Sequence, residues 1–204
     1  MSQNTKYTKG FLNKISSKKA VIREWVESII VAFLLAMVIR TFIVQAFKIP
    51  TGSMKPTLKE GDLILVNKFI YGAKVPFTKW RIPSFRQPKR GDVIVFIYPP
   101  ERKKNFIKRM VGFPGETVEI KNSKIYINNQ PLLDYTFSQR EYYNRGEFGN
   151  EGQKVVIPKD CYFVLGDNSA HSMDSRFWGF VPQDNILGKA ILVYWPLTRI
   201  RMVK

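Results

Sequence analysis

The first hydrophobic pattern along the chain is a long apolar segment near the N-terminus. Residues 28–47 span 20 positions, about 30 Å as a helix, which matches the hydrocarbon core of a bilayer. Within the segment, twelve Leu, Ile, Phe and Val residues favour membrane insertion by about 5 kcal/mol in sum. Arg40 opposes insertion by about 3 kcal/mol at most. We therefore predict a transmembrane helix over residues 25–47.

This segment has two other interpretations besides a permanent anchor. Residues 29–39 are apolar on every side, so they lack the polar face of a helix that lies on a membrane surface. The small-residue stretch Val44-Gln45-Ala46 would suit a cleavable signal peptide, and that alternative stays open. The uncleaved anchor is the preferred interpretation.

Basic residues on the N-terminal side of the segment predict its orientation. Positive charge is retained on the cytoplasmic side of a membrane. Residues 1–24 are therefore predicted to be a cytoplasmic tail, and residues 48–204 to be extracytoplasmic on a single-pass protein of the cell membrane. The basic residues concerned are Lys6, Lys9, Lys14, Lys18, Lys19 and Arg23.

After the anchor, short apolar runs alternate with turn residues. The two runs that directly follow a Gly-Asp pair are apolar throughout, as is typical of strands buried on both faces. Asn122-Ser123 has the length and composition of a two-residue hairpin turn between two further runs. The predicted strands are residues 62–66, 92–98, 117–121, 124–128, 161–165 and 190–195.

The remainder of the chain favours an all-β fold. No helical periodicity of 12 or more residues follows residue 50. Residues 134–154 are polar, contain Gly and carry scattered aromatics, which predicts a surface excursion. Residues 48–204 are therefore predicted to form a compact domain of mostly antiparallel short strands, barrel- or sandwich-like, behind one N-terminal transmembrane helix.

Composition adds a strongly basic balance and narrows the chemistry. The net charge of +17 suits either nucleic acid or an anionic lipid surface, and 45% hydrophobic residues suffice for a core. The chain has one Cys and one His, which cannot supply a metal ligand set or a disulfide framework, so no metal and no cofactor are expected. Cys161, in an apolar run, is predicted to be a buried strand residue.

Three segments carry candidate chemistry. In Ile49–Thr57, two prolines and Gly52 stiffen and tighten a loop that presents Ser53 six residues after the predicted anchor. In Asn105–Glu116, strand alternation places Phe106, Lys108 and Met110 on one face and Arg109 on the other.

A Lys between two apolar side chains is desolvated, which lowers the pKa of its ammonium, although a snorkelling Lys is the simpler interpretation.

The third segment, Gly166–Gly179, concentrates carboxylates, hydroxyls, amides, one His and one Arg. It could support a site through hydrogen bonds, or it could be a surface turn with an Asp174–Arg176 ion pair of little energetic value.

Together these segments resemble the bacterial type I signal peptidases, from the anchor nearly to the C-terminus. The nucleophile motif of that family matches Pro50–Thr57, and its general-base strand matches Lys108–Glu116. Its Gly-Asp-Asn…Ser-x-Asp-Ser-Arg signature matches Gly166–Arg176, and Lys89–Phe96 fits the strand block between them. Four blocks in the same order make the resemblance specific.

The resemblance implies a membrane-anchored serine endopeptidase that cleaves signal peptides from exported preproteins. Its implied nucleophile is Ser53, with Lys108 as general base. The backbone N–H of Ser53 and the hydroxyl of Thr51 would form the oxyanion hole. The implied partners are preprotein signal peptides and membrane lipid, with a secretion translocon as a further candidate and no nucleic acid. The implied supporting residues are Ser172, which would orient the Lys, and Asp167, Arg109, Asp174 and Arg176, which would hold the shape of the site.

One departure from the family pattern lies between Asn168 and Ser172. Family members often carry Arg-Asp-Asn there, and this chain has Ser169-Ala170-His171. The usual charge pairing of the loop is therefore in question.

Two other functions stay open on the sequence. A Ser-His-Asp triad would use His171, the single histidine, with Asp167 or Asp174 as its orienting carboxylate. A different class is a basic, membrane-tethered protein that binds an anionic envelope polymer or nucleic acid without catalysis. That function needs basic residues clustered on a groove, whereas here they are dispersed.

Overall fold

The N-terminal part of the protein is one long helix. The computed structural model describes residues 4–203 except 73, 74, 76, 77 and 79. Helix α1 covers Asn4–Val38, and a short π-helical turn, Ile39–Ile43, continues it. The 23 residues Val21–Ile43 are long and apolar enough to cross a membrane, and their apolar side chains are exposed except for Phe42, which is partly buried.

The helix ends earlier than the sequence predicted. Residues 44–47, assigned above to a helix over residues 25–47, belong instead to strand β1, Val44–Lys48. This strand pairs antiparallel with the next one, from Val44 opposite Asn67 to Lys48 opposite Leu63. The correction has a physical cause, because the partner strand offers these backbone groups hydrogen bonds that hydropathy alone does not reveal.

The chain separates into two units, Met1–Thr41 and Phe42–Lys204, and the second is built from two antiparallel sheets. The larger has the strand order β1-β2-β11-β3-β4-β9-β10, with β12 also paired to β11, and the smaller has the order β7-β6-β5-β8. The strands after β1 are β2 Leu63–Asn67, β3 Val93–Ile97, β4 Asn105–Gly112, β5 Thr117–Lys121, β6 Lys124–Ile127, β7 Gln130–Pro131, β8 Val155–Val156, β9 Cys161–Leu165, β10 Val181–Pro182, β11 Ile186–Trp195 and β12 Arg201–Met202.

The predicted all-β fold is confirmed. Within the described part of Phe42–Lys204, the α-helices are only two four-residue turns, α2 Tyr135–Ser138 and α3 Ser175–Trp178. The predicted hairpin is also confirmed, because Lys121 pairs with Lys124 and both turn residues, Asn122 and Ser123, have positive φ, as a type I′ turn requires.

The core lies on both faces of the large sheet. Strand β3 shows the arrangement: Val93 and Val95 pack into one apolar cluster, while Ile94 and Phe96 pack into another. This two-sided burial explains why the run after Gly91-Asp92 is apolar throughout. Cys161 lies at the start of β9, as predicted, but it is only partly buried.

The region over residues 134–154 differs from the predicted surface excursion. Phe137 and Tyr142 are fully buried, and Phe148 packs against the same apolar cluster, which also contains Ile120 and Ile125 of the small sheet. The sequence pattern does not indicate this burial, because exposed polar positions separate each of these aromatic residues from the next. Residues 134–154, the cover segment, therefore cover the apolar cluster of the small sheet.

Candidate active site

Ser53 sits in a tight turn between β1 and β2. The turn contains a short 3₁₀ helix, Gly52–Met54, and the side chain of Met54 is completely buried in the core behind it. Leu58 N–H donates to the Met54 carbonyl oxygen at 2.8 Å, and Leu58 is buried in the same cluster. These anchors fix the turn and leave Ser53 6% exposed, at the wall of an open pocket.

Lys108 reaches Ser53 from the middle of the large sheet. It lies on β4, which pairs with β3 on one side and β9 on the other. Its Nζ is 2.8 Å from Ser53 Oγ and donates to the Ile107 carbonyl oxygen at 3.0 Å. The ammonium also lies 5.3 Å from the centre of the Phe106 ring. The sequence-predicted nucleophile and base are thus within hydrogen-bonding distance of one another.

The pKa of Lys108 is lowered to about 8. The main cause is burial, since the residue is only 4% exposed and a charged amine loses hydration there. The negative charges of Asp174 and Asp167 oppose this effect, and the positive charge of Arg176 adds to it. The desolvation expected from the apolar neighbours of Lys108 is confirmed, and a substantial neutral fraction of the amine follows at mildly alkaline pH.

Arg109, the next residue on β4, forms a buried ion pair with Asp167. Its Nε donates to Asp167 Oδ1 at 2.7 Å and its Nη2 to Oδ2 at 2.6 Å, a bidentate geometry. The hydroxyl of Thr57 also donates to the Asp167 carboxylate. Arg109 Nη1 donates to the Gly91 carbonyl oxygen at 2.7 Å. The network ties β4, the Ser53 turn and the loop after β9 together.

Asp174 and Arg176 form a second buried pair. Both side chains are completely inaccessible to solvent, with Arg176 Nε 2.8 Å from Asp174 Oδ1. The Asp174 carboxylate also accepts from the backbone N–H of Gly166 at 3.0 Å and caps helix α3. The alternative of a surface turn with an exposed ion pair is therefore wrong. Breaking a buried pair of this kind on one side typically costs about 3–5 kcal/mol.

The loop after β9 holds the backbone of the nucleophile directly. Asn168 donates from its backbone N–H to the Ser53 carbonyl oxygen at 3.0 Å and from Nδ2 to the Gly52 carbonyl oxygen at 3.1 Å. Gly166 permits this approach, because a Cβ there would lie 2.1 Å from Ser172 Oγ and 2.6 Å from the Ser53 carbonyl oxygen. The loop and the nucleophile turn are therefore in van der Waals contact.

Two predicted site residues are placed beside the pair without bonding to it. Ser172 is buried, and within the described part of the chain its Oγ has no hydrogen-bond partner, so the expected contact with Lys108 is not formed. Thr51 is exposed at the pocket wall, and its hydroxyl makes no capping bond to the 3₁₀ helix. The Thr51 hydroxyl therefore faces groups that enter the pocket, whereas the Ser172 hydroxyl is buried.

An open pocket of about 200 Å³ lies beside the Ser53–Lys108 pair. Its wall is mostly apolar, and His171 and Met173 line it together with residues of β4 and the Ser53 turn. The carboxylates that could orient His171 in a triad are already bound, Asp167 to Arg109 and Asp174 to Arg176. The lining residues are Pro50, Thr51, Ser53, Asn105, Phe106, Ile107, Lys108, His171 and Met173.

Sequence reasoning missed the part of the site that the cover segment supplies. Arg140 Nη2 lies 3.3 Å from Asp167 Oδ2, and the backbone N–H of Tyr143 donates to Ser169 Oγ at 2.9 Å. Ser169, in the departure from the family pattern, also accepts from Arg176 Nη1 at 2.7 Å. A basic residue in a polar stretch carries no sequence signal for such a role.

Sequence comparison with known proteins shows the family of this chain. The sequence profile of the family described as "Signal peptidase, peptidase S26" matches residues 22–195. Signal peptidase I of Pseudomonas aeruginosa is 37% identical over 214 residues, which cover 88% of this chain and 75% of that protein. Signal peptidase I of Leptolyngbya laminosa is 39% identical over 188 residues, covering 88% of this chain and 82% of that protein. The crystal structure of a signal peptidase I from Enterococcus faecalis V583 is 32% identical, with a TM-score of 0.42, and covers 51% of this chain and 97% of that one.

The all-β domain, its serine-bearing pocket and these relatives define a hydrolase of the serine endopeptidase class. The chain belongs to the signal peptidase family, peptidase S26.

Proposed function

We propose that this chain removes signal peptides from exported preproteins at the membrane, with Ser53 as nucleophile and Lys108 as general base. The observation that carries the proposal is the 2.8 Å approach of Lys108 Nζ to Ser53 Oγ at the wall of an open pocket. A base must lie within about 2.6–3.2 Å of the proton that it takes, and this pair meets that condition.

The proposed reaction proceeds through an acyl-enzyme. The neutral Lys108 amine takes the Ser53 hydroxyl proton as Oγ attacks the carbonyl carbon of the scissile peptide bond. The ammonium then returns that proton to the leaving amine. In the second half, Lys108 takes a proton from the attacking water and gives it to Ser53 Oγ as the ester bond breaks, which releases the acid and restores the enzyme. The buried environment that lowers the pKa of Lys108 to about 8 supports this role.

The oxyanion of each tetrahedral intermediate would be stabilised by the Ser53 backbone N–H and the Thr51 hydroxyl. The position of Thr51 at the pocket wall, without a capping bond of its own, supports this assignment. Ser172 would accept from the Lys108 amine as it moves, since its buried hydroxyl has no other hydrogen-bond partner among the described residues. The pairs Arg109–Asp167 and Asp174–Arg176 would hold the shape of the site.

The pocket supports a substrate class. A volume of about 200 Å³ with a mostly apolar wall suits small side chains, such as those that precede the cleavage site of a signal peptide. Preproteins with signal peptides are therefore the proposed substrates.

The exposed apolar stretch Val21–Ile43 supports a single-pass membrane anchor. We propose a cytoplasmic tail before it and an extracytoplasmic catalytic domain after it, because the basic residues precede the stretch. Membrane lipid is then a standing partner, the secretion translocon is a candidate neighbour, and nucleic acid is not a proposed partner.

The test is cleavage of a preprotein by the detergent-solubilised protein, with the cut mapped by mass spectrometry. Ser53→Ala and Lys108→Ala should each lower kcat/KM by about 10³-fold or more, and the double variant should be little worse than either, as for members of one catalytic unit. Lys103→Ala, an exposed Lys just before β4, is the matched control and should cleave like wild type.

Two results would overturn the proposal. Substantial cleavage by Lys108→Ala would refute Lys108 as the general base, although the protein would still be a serine protease. Failure of the wild-type protein to cut any preprotein, with intact binding of an anionic envelope polymer, would favour the non-catalytic function.

A further inference from the structure

We propose that Arg140 of the cover segment is a positioning residue for the reaction, acting through Asp167 on the turn that holds Ser53. The inference rests on the proposed function and extends the site beyond the three sequence motifs.

Arg140 binds the polar network at the point where three segments meet. Its Nη2 lies 3.3 Å from Asp167 Oδ2 and 3.2 Å from Thr57 Oγ1. Thr57 itself donates to the same Asp167 oxygen, and Arg109 Nη2 lies 3.2 Å from Thr57 Oγ1. The Thr57 hydroxyl is thereby fully used, with one proton donated and two guanidinium groups on its lone pairs. One carboxylate is shared by two cations from different segments.

This network acts on the nucleophile through the chain, because Asp167 is followed directly by Asn168, which binds the Ser53 turn. The backbone and side chain of Asn168 hold the carbonyl oxygens of Ser53 and Gly52 at 3.0 and 3.1 Å. Thr57 lies in the segment that continues the Ser53 turn, so Arg140 touches both sides of the contact between turn and loop. Small displacements of a reacting group lower kcat strongly, since the attacking atom must be aligned with the carbonyl carbon.

Arg140 also affects the charge that faces Lys108. The charges acting on the Lys108 amine are those of Asp174 and Asp167, which raise its pKa, and that of Arg176, which lowers it. Asp167 is neutralised in turn by Arg109 and Arg140. Removal of the Arg140 cation leaves Asp167 less compensated, so the Lys108 ammonium is stabilised and the pKa of the base rises.

The chain can lose this side chain without losing its fold. Asp167 keeps its bidentate partner Arg109, so no buried carboxylate is left unpaired. Arg140 is 18% exposed at its side chain, and water can replace part of its contact. Arg145 offers a matched control in the same segment, because its Nη1 donates at 2.8 Å to a neutral group of the same loop, the Ala170 carbonyl oxygen.

The experiment measures kcat and KM against pH on one signal-peptide substrate for wild type, Arg140→Met, Arg140→Lys and Arg145→Met. For Arg140→Met we expect kcat to fall about tenfold with KM nearly unchanged. The ascending limb of its pH profile should move upward by roughly 0.3–0.5 pH unit. Arg140→Lys restores the positive charge, so the ascending limb of its pH profile should lie at the wild-type position. Arg145→Met should have the same ascending limb as wild type.

The outcomes separate the inference from its alternatives. If Arg140→Met had the kcat of the wild type and the same ascending limb in its pH profile, the inference would be overturned. A lower kcat with an unmoved limb, shared by Arg140→Lys and Arg145→Met, would show only that the cover segment stabilises the loop, and would also overturn it. Activity retained by Ser53→Ala would instead refute the proposed function itself, which is a different observation.

Discussion

Two adjacent basic residues of β4 meet opposite environments. The side chains of Lys108 and Arg109 project from opposite faces of the strand because side chains alternate. Arg109 meets the carboxylate of Asp167 and stays a paired cation in the interior. Lys108 has no carboxylate at bonding distance within the described structure and meets instead a hydroxyl, a carbonyl and an aromatic ring. The same burial therefore yields a structural ion pair on one face and a candidate base on the other.

The lowered pKa of Lys108 predicts the pH dependence of the enzyme. In the proposed mechanism the neutral amine is the active form, and with a pKa of about 8 it is the minor form at lower pH. The kcat/KM value should therefore rise with pH, by about tenfold per unit well below pH 8, and level off above it. The measurement is kcat/KM from pH 6 to 10 on one peptide substrate.

His171→Asn is the decisive variant for that profile. It moves the loop toward the family pattern and leaves Lys108 in place, so activity should stay within a few-fold of wild type with the same ascending limb. If a triad operated, the variant would lose its base and its activity would drop by several orders of magnitude. That drop, together with activity in Lys108→Ala, would replace the dyad by the triad.

At the scale of elements, the loop between β9 and α3 is the part that assembles the site. It binds β4 through Asp167, the nucleophile turn through Asn168 and the cover segment through Ser169. The buried Asp174–Arg176 pair fixes its far end. A loop with this many buried hydrogen bonds behaves as a rigid element, so substitutions inside it should act on catalysis through geometry.

Gly166→Ala tests the close approach of this loop to the nucleophile turn. A Cβ at this position would lie 2.1–2.6 Å from Ser172 and the Ser53 carbonyl, so the loop must move away. We expect kcat/KM to fall by about 10²-fold and the melting temperature to drop. The measurements are peptide cleavage and thermal unfolding followed by circular dichroism.

Gly152→Ala is the control for that variant. Among the described residues, apart from Gly152 and its two chain neighbours, no heavy atom lies within 4 Å of a Cβ at Gly152, although its φ of +71° disfavours other residues. It should lose about 1–2 kcal/mol of stability and keep its activity. Equal activity of both variants would show that the loop tolerates separation from Ser53.

At the scale of the whole molecule, the proposed topology couples the chemistry to the membrane. Residues 48–204 carry 26 basic and 14 acidic side chains, an excess that favours an anionic lipid surface. The strand β1 follows the π-helical turn without an intervening loop. An anchored enzyme meets its anchored substrate in two dimensions, which raises the effective concentration of the cleavage site.

The orientation can be measured by labelling single cysteines on intact cells with a membrane-impermeant maleimide. In a Cys161→Ser background, Leu133→Cys places a thiol at a strongly exposed position of the catalytic domain, and Ser2→Cys places one in the N-terminal tail. We expect the first to be labelled directly and the second only after the membrane is permeabilised. The reverse pattern would invert the topology derived from the basic tail.

The sequence by itself determined the elements whose signal is local. An apolar run of membrane length, β runs after Gly-Asp turns and a two-residue hairpin can all be identified from neighbouring residues. Ser53 and Lys108 were identified in the same way, through motifs that resemble a known family. The end of the anchor helix was misplaced because β1 owes its conformation to pairing with β2, some twenty positions further along the chain.

Only the tertiary structure decided which polar groups share a charge and which stay unpaired. Asp167 lies far along the chain from Arg109, Thr57 and Arg140, and folding brings all four into one network. Ion pairing and desolvation depend on distances in space, which spacing along the chain does not encode across strands of different hairpins. For this reason the sequence could propose Lys108 as a desolvated base, whereas the contact between Arg140 of the cover segment and Asp167 came only from the packed molecule.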